Sequence, residues 1–189
     1  MEVVISDNYT RKCKNSQGGI SEVYLFPYVE YSRSQIVTSS NILTSFPTTT
    51  IYKFFCNNQP TATETQETDA GGKYYSQSIG FDFQSKDDAE NILKLLKKDY
   101  RLIFQDRNGL YRIFGLYTGL TCDSLTYNSG GGKSDLNGFT LSFSGQEEKG
   151  SFFINNLEDA GFFDAEFDYR ILESGEFRIT ENSNFRILE

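Results

Sequence analysis

The sequence predicts a mainly β protein: two packed antiparallel sheets, as a sandwich or partly open barrel, with one flanking α-helix and a long hairpin loop. Three observations carry that prediction. Aromatic residues make up 15% of the chain, 17 Phe and 12 Tyr with no Trp, and such side chains suit the half-buried surface of a strand. Apolar runs of strand length recur between clusters of Gly, Asn and Ser. Sixteen glycines supply turns, and of the three prolines none lies beyond residue 60. With 189 residues the chain can bury a substantial core, read as one domain over residues 1–168 followed by an arm, 169–189.

The elements follow in order. SEVYLFPYVEY (21–31) is a strand run with Pro27 in its middle, which removes a ladder donor and marks an edge or a bulge. SQIVTS and NILTSF make a hairpin around Ser40-Asn41, and TTTIYKFFC (48–56) is the strongest β-forming run of the first third. Residues 57–72, NNQPTATETQETDAGG, have Ala62 and Ala70 as their only apolar side chains. Such a stretch buries too little to offset its ordering entropy, and reads as a long polar loop or as an arm that orders on meeting a partner. KYYSQSIGFDFQ (73–84) is the strand after it.

One helix is predicted, over 86–98, within SKDDAENILKLLKK. Ser85 caps it with Asp88 three residues on, and Lys97 and Lys98 sit at its negative end. Ala89, Ile92, Leu93 and Leu96 form a single apolar stripe, as expected for a helix covering a sheet. In YRLIFQDRNGLYRIFGLYTGL (100–120), Asn108-Gly109 between apolar runs predicts a tight hairpin. TCDSLTYNSGGGKSDLN (121–137) reads as a Gly-rich loop. In GFTLSFSGQEE, Phe139, Leu141 and Phe143 point inward while Thr140, Ser142 and Ser144 point out.

The last 21 residues repeat one phrase at eight-residue spacing: Tyr169-Arg170-Ile171-Leu172-Glu173, Phe177-Arg178-Ile179-Thr180-Glu181 and Phe185-Arg186-Ile187-Leu188-Glu189. Alternation puts the aromatic, the Ile and the Glu of each phrase on one face, and Ser174-Gly175 and Asn182-Ser183-Asn184 suit tight turns. The prediction is a three-stranded meander, too thin to stand alone, whose aromatic face rests on this chain's body or on a neighbouring copy.

Composition argues against several functions. A formal charge of −8 opposes phosphate-neutralising binding of duplex DNA and adhesion to anionic membranes. No run approaches the ~20 apolar residues of a membrane span, and the start MEVVISDNYTRK lacks a signal-peptide layout. Cys13, Cys56 and Cys122 are far apart, and without histidine neither a zinc site nor the usual general base is expected. Gly132-Lys133-Ser134 imitates a phosphate loop, but Tyr127 stands where that motif needs its first Gly. Glu147/Glu148 and Glu166/Asp168 read as solvated acidic surface. No enzyme, metal or cofactor is expected.

The segment LIFQDRNGLYRIFGLYTGL, the small-residue loop after it and SDLNGFTLSFSGQEE resemble virion structural proteins of tailed phages infecting Bacteroidetes, including the crAss-like group. The matching positions are Asp106, Arg107, Asn108 and Gly109 in the turn, then Asp135, Asn137, Gly138, Phe139, Thr140, Leu141, Phe143 and Gly145. KCKNSQGGISEVYLFPYVEYSRSQI (12–36) adds to the likeness, which spans about half the chain and consists of turns and strands. It implies a tail-tube-like fold whose copies form a ring around the channel through which DNA leaves the capsid. Its partners would be other copies and tail, portal or neck proteins, with DNA as passing cargo and no membrane, in a virion assembled in the host cytoplasm. On that reading the assembly residues are Thr61, Thr63, Glu64, Thr65 and Glu67 of the loop and Phe177, Ile179, Phe185 and Ile187 of the arm. The alternative is a β-sandwich binding module, an adhesin or carbohydrate-recognising domain at a tail tip.

Overall fold

The computed structural model describes residues 18–54, 56, 60–83, 98–132, 136–164, 170–171, 177–178, 180–181 and 184–185. Its centre is an antiparallel pair, β1 (Ile20–Pro27) and β7 (Asp99–Asp106), with Val23 opposite Phe104, Tyr24 opposite Ile103 and Leu25 opposite Leu102. Both strands are apolar at successive positions, so alternation gives each two apolar faces and both must be covered. Val23, Leu25, Leu102 and Phe104 enter one core with Ile79, Phe81, Leu120, Leu141 and Phe143. Tyr24, Phe26 and Ile103 enter a second with Leu43, Phe46, Ile51, Ile113, Ile154 and Phe162.

The second core is closed by short elements. A hairpin of β2 (Val37–Ser39) and β3 (Ile42–Ser45) turns through Ser40 and Asn41, both at positive φ as a primed hairpin turn requires. β4 (Thr49–Phe54) pairs with β1. Pro27 ends β1 beyond the last β4 partner, Leu25 with Tyr52, so its missing donor breaks no bond to that strand. β8 (Tyr111–Phe114) returns on β7 through the Asp106–Gly109 turn, where Asp106 Oδ1 accepts from the N–H groups of Asn108 and Leu110 at 2.8 and 2.9 Å. β11 (Phe152–Ile154), a single helical turn at Leu157–Ala160 and β12 (Phe162–Asp164) complete this side. Asn156 caps that turn, and Gly161 leaves it at φ +101, where a Cβ would collide with the Phe46 carbonyl.

The first core is closed by four strands in spatial order β9 (Leu120–Asn128), β10 (Gly138–Glu147), β6 (Gly72–Phe83) and β5 (Thr61–Asp69). β9 meets β7 only at Thr121 opposite Asp99 and Leu120 opposite Tyr100, so one hydrogen-bonded sheet runs through both halves. The fold is therefore mainly β, a large sheet folded on itself like a sandwich and left unclosed. It is also mixed, which the sequence did not predict: β11 runs parallel to β3, and β12 parallel to β4.

Two segments read as loops are strands. Residues 61–69 pair with β6 over their whole length, from Thr61 opposite Gly80 to Asp69 opposite Gly72, with Ala70-Gly71 as the turn. Their alternating Thr residues favour a strand, but polarity on both faces hides the period from any search for apolar alternation. Residues 120–128 likewise pair with β10, which shortens the Gly-rich loop. The helix predicted over 86–98 falls, but for Lys98, outside the described residues. In the C-terminal arm β13 (Arg170–Ile171) pairs with β14 (Phe177–Arg178), and β15 (Thr180–Glu181) with β16 (Asn184–Phe185), so each phrase pairs with the next.

Burial on both faces of β7 is tested by urea unfolding. Leu102→Ala and Ile103→Ala, one in each core, should each cost about 2–5 kcal/mol. Val37→Ala, where the wild-type side chain is half exposed, should cost under about 0.5 kcal/mol. A loss below about 1 kcal/mol at either core position would contradict the two-core arrangement.

Candidate functional site

The strands β9, β10, β6 and β5 separate apolar from polar residues by face. Phe81, Ile79, Leu141, Phe143, Phe139 and Cys122 point into the first core. The opposite face aligns hydroxyls in rows across the strands. Thr63, Ser78, Ser144 and Thr121 form one row, and Thr61, Gly80, Ser142 and Ser124 the next. Thr65 with Ser76, and Thr140 with Thr126, extend the array at either end. Adjacent strands lie about 4.8 Å apart and same-face residues about 6.8 Å along a strand, so these hydroxyls make a regular polar grid. Thr121 donates to Asp99 Oδ1 at 2.9 Å, and Thr140 accepts from Asn128 at 3.3 Å. The charged residues in register with the grid are Glu67, Asp69 and Asp82, with no Lys or Arg among them.

Both outer strands of this sheet have an open edge. Among the described residues β5 pairs with β6 alone, and β9 beyond Thr121 pairs with β10 alone. Along β9, Ser124, Thr126, Tyr127 and Asn128 are exposed. The predicted assembly residues divide accordingly. Thr61, Thr63, Thr65 and Glu67 share the hydroxyl face, where the Tyr74 hydroxyl donates to Glu67 at 2.6 Å. Glu64 does not: it turns inward and accepts from Gln77 Nε2 at 2.8 Å and from the Ser151 N–H at 2.7 Å. Phe177 and Phe185 lie in the paired C-terminal phrases, while Ile179 and Ile187 lie outside the described residues.

A buried polar set, not foreseen from the sequence, holds the Gly115–Gly119 segment between the halves of the sheet. Gln77 Oε1 accepts from the Gly115 N–H, and Glu147 Oε1 from the N–H groups of Tyr117 and Thr118, all at 2.9 Å. Arg101 Nε donates to the Leu116 carbonyl at 3.0 Å, and its guanidinium lies 4.2 Å from the centre of the Tyr28 ring. Gly115 is required at φ +69, since a Cβ there would press on Leu120. The sequence places Glu147 and Glu148 together on solvated acidic surface, but Glu147 is 2% exposed, and only Glu148 beside it meets solvent, paired with Arg33 at 2.9 Å. Glu166 and Asp168 lie outside the described residues. The adjacent glutamates give no sequence signal for this difference, because strand alternation assigns faces only once the sheet is placed.

Burial pushes the Glu147 carboxyl above the usual carboxylate range, and the backbone donors of Thr118 and Tyr117 together with the Arg101 charge offset this only in part. Its second oxygen has no hydrogen-bond partner among the described residues. The thiols of Cys56, pushed up to about 11, and of Cys122 are raised by burial and resist ionisation. No protein-family model, no curated protein and no solved structure matches the chain.

The folded state binds the Glu147 proton more tightly than the unfolded chain does. That contribution to stability is full below the ordinary value of 4.5 and is lost as pH rises through the higher folded value. Relative to Glu147→Gln, the wild type should therefore gain stability as pH is lowered across that window in denaturant titrations. A constant difference between the two proteins would show that this carboxyl titrates as an exposed one.

Proposed function

We propose that this chain is a virion structural protein of a tailed phage, forming a homo-oligomeric ring or tube around the DNA-ejection channel of the tail or neck. The observation that carries this reading is the sheet β9-β10-β6-β5, which among the described residues has a hydroxyl face free of cations and an open edge on each side. Its four strands alternate in direction, so β5 of one copy meets β9 of the next antiparallel. Repetition of that contact is heterologous and closes into a ring when the rotation permits. Pairing would also remove two edges that otherwise invite uncontrolled association.

Placed inward, the hydroxyl grid would line the channel. A surface that presents water-bonding hydroxyls, scattered carboxylates and no Lys or Arg gives DNA phosphates no counter-charge, so a polyanion can pass without sticking. The chain's net charge of −8 is compatible with this role. The family resemblance in the turn and strand motifs points the same way. The neighbours in the virion would be further copies and other tail, portal or neck proteins.

Negative-stain microscopy of the purified protein across a concentration series should show closed rings or stacked tubes with a central hole. In a variant whose residues 66–75 are replaced by Asn-Gly, Thr65 and Ser76 remain paired through a two-residue turn while the distal half of the β5 edge is lost. That variant should stay folded by circular dichroism and form no rings. Rings of unchanged abundance would rule out the β5 edge as the assembly contact.

A further inference from the structure

Asn-Gly occurs twice in the chain, at Asn108-Gly109 and at Asn137-Gly138. In this dipeptide the glycine nitrogen can approach the asparagine carboxamide, because no Cβ stands in the way. Attack forms a bond from the Gly nitrogen to the Asn Cγ and expels ammonia, leaving a cyclic succinimide. Water then opens the ring at one carbonyl or the other, to aspartate or to isoaspartate. The reaction requires loss of the amide proton, local freedom to close the ring, and a place for the negative charge that develops on Oδ1.

The first site is held in the β7–β8 turn. The Gly109 N–H donates to the Asp106 carbonyl at 3.0 Å, and Asp106 Oδ1 accepts from the N–H groups of Asn108 and Leu110 at 2.8 and 2.9 Å. The Asn108 carboxamide nitrogen donates to Asp106 Oδ2 at 3.3 Å. Burial alone would raise the Asp106 carboxyl, but the Leu110 and Asn108 donors outweigh it and hold the group below the usual range. The attacking nitrogen is therefore engaged, and an ionised carboxylate beside it opposes loss of its proton.

The second site differs on each count. Asn137 is exposed and lies just before β10. Gly138, the first residue of that strand, pairs only with Asn128 among the described residues, and strand ends open at little cost. The one side-chain hydrogen bond of Asn137 among the described residues comes from the Tyr127 hydroxyl, which donates to Oδ1 at 3.3 Å. Oδ1 is the atom that becomes negative when the Gly138 nitrogen adds to Cγ. A donor placed there stabilises that charge, and a contact that is long at rest tightens as the charge grows. The Tyr127 ring centre lies 5.3 Å from that of Phe139, which keeps the hydroxyl beside Asn137.

We propose that Asn137 is a self-modifying site, at which Gly138 attacks the carboxamide, the Tyr127 hydroxyl assists, and the neutral side chain becomes a carboxylate. The aspartate product keeps the Tyr127 contact as a stronger, charge-assisted hydrogen bond. The isoaspartate product adds one carbon to the backbone just before the Gly138–Asn128 pair that starts the β9–β10 ladder. Either product makes the chain, at a formal charge of −8, one charge more acidic. The inference does not depend on the ring reading.

The test is a timed incubation of the full-length protein at mildly alkaline pH, read by peptide mass mapping. The peptide bearing Asn137 should show conversion of amide to acid, while the peptide bearing Asn108 stays unchanged. Tyr127→Phe keeps the ring, removes the donor, and should slow conversion at 137 about threefold or more. Loss of local structure would speed the reaction instead, so a slower rate isolates the hydroxyl. Asp106→Ala removes the hold on the first site and should start conversion at 108. Equal conversion at both sites of the wild type, or conversion at neither, would overturn the proposal. So would an unchanged or faster rate at 137 in Tyr127→Phe, or a silent Asn108 in Asp106→Ala.

Discussion

The β1–β7 pair is the contact on which the rest of the structure depends. Two adjacent strands that are apolar on both faces cannot lie on a protein surface, so each face must find its own cover. The first core then requires β9, β10, β6 and the root of β5, and the second requires the hairpin β2–β3 with β11 and β12. Val23 and Leu25 serve one core while Tyr24 and Phe26 serve the other, so a one-residue slip of β1 would exchange the contents of the two cores. Register is thereby fixed twice, and with it the position of every strand paired to the centre.

Between the two halves the hydrogen-bonded sheet narrows to the short β7–β9 contact, and the buried polar residues lie beside it. Gln77 and Glu64 come from the β5–β6 hairpin, Glu147 from the end of β10 and Arg101 from β7. Together they bond to the Gly115–Gly119 segment and to Ser151. Such groups add little net stability when satisfied and cost roughly 1–3 kcal/mol when a partner is lost, so their main effect is to specify one arrangement of the two halves. Glu147 keeps one buried oxygen without a hydrogen-bond partner among the described residues, which adds to the cost of burying its carboxyl at this junction.

The outer sheet shows how one set of strands can do two things at once. Its inner face closes a core with Phe81, Phe143 and Leu141, while its outer face is a hydroxyl grid whose two edges are open among the described residues. The ring proposed above would use both features, the edges to pair copies and the grid to line the channel. The self-assembly reading rests on these two features, and the acidic composition and the family resemblance are compatible with it.

Much of the fold was legible in the sequence because its signals are local. The apolar run of β1, the Ser40-Asn41 and Asn108-Gly109 turns, and the Phe139-Leu141-Phe143 alternation each specify an element within ten residues. Strands 61–69 and 120–128 were missed because their outward positions are Thr and Ser and their inward ones are sparse, so neither period nor hydrophobicity marks them. Of the predicted assembly residues, Thr61, Thr63, Thr65 and Glu67 fell together because every second residue of a strand shares a face. Glu64, on the alternate parity, turned inward for the same reason. By itself the sequence determined a mainly β chain, its principal turns and its acidic, histidine-free chemistry, since these depend on composition and near neighbours. Only the tertiary structure decided that Glu147 and Arg101 are buried, that two strand pairs run parallel, and that hydroxyls from four strands form one face. Those facts depend on register between segments tens of residues apart, which no local pattern encodes.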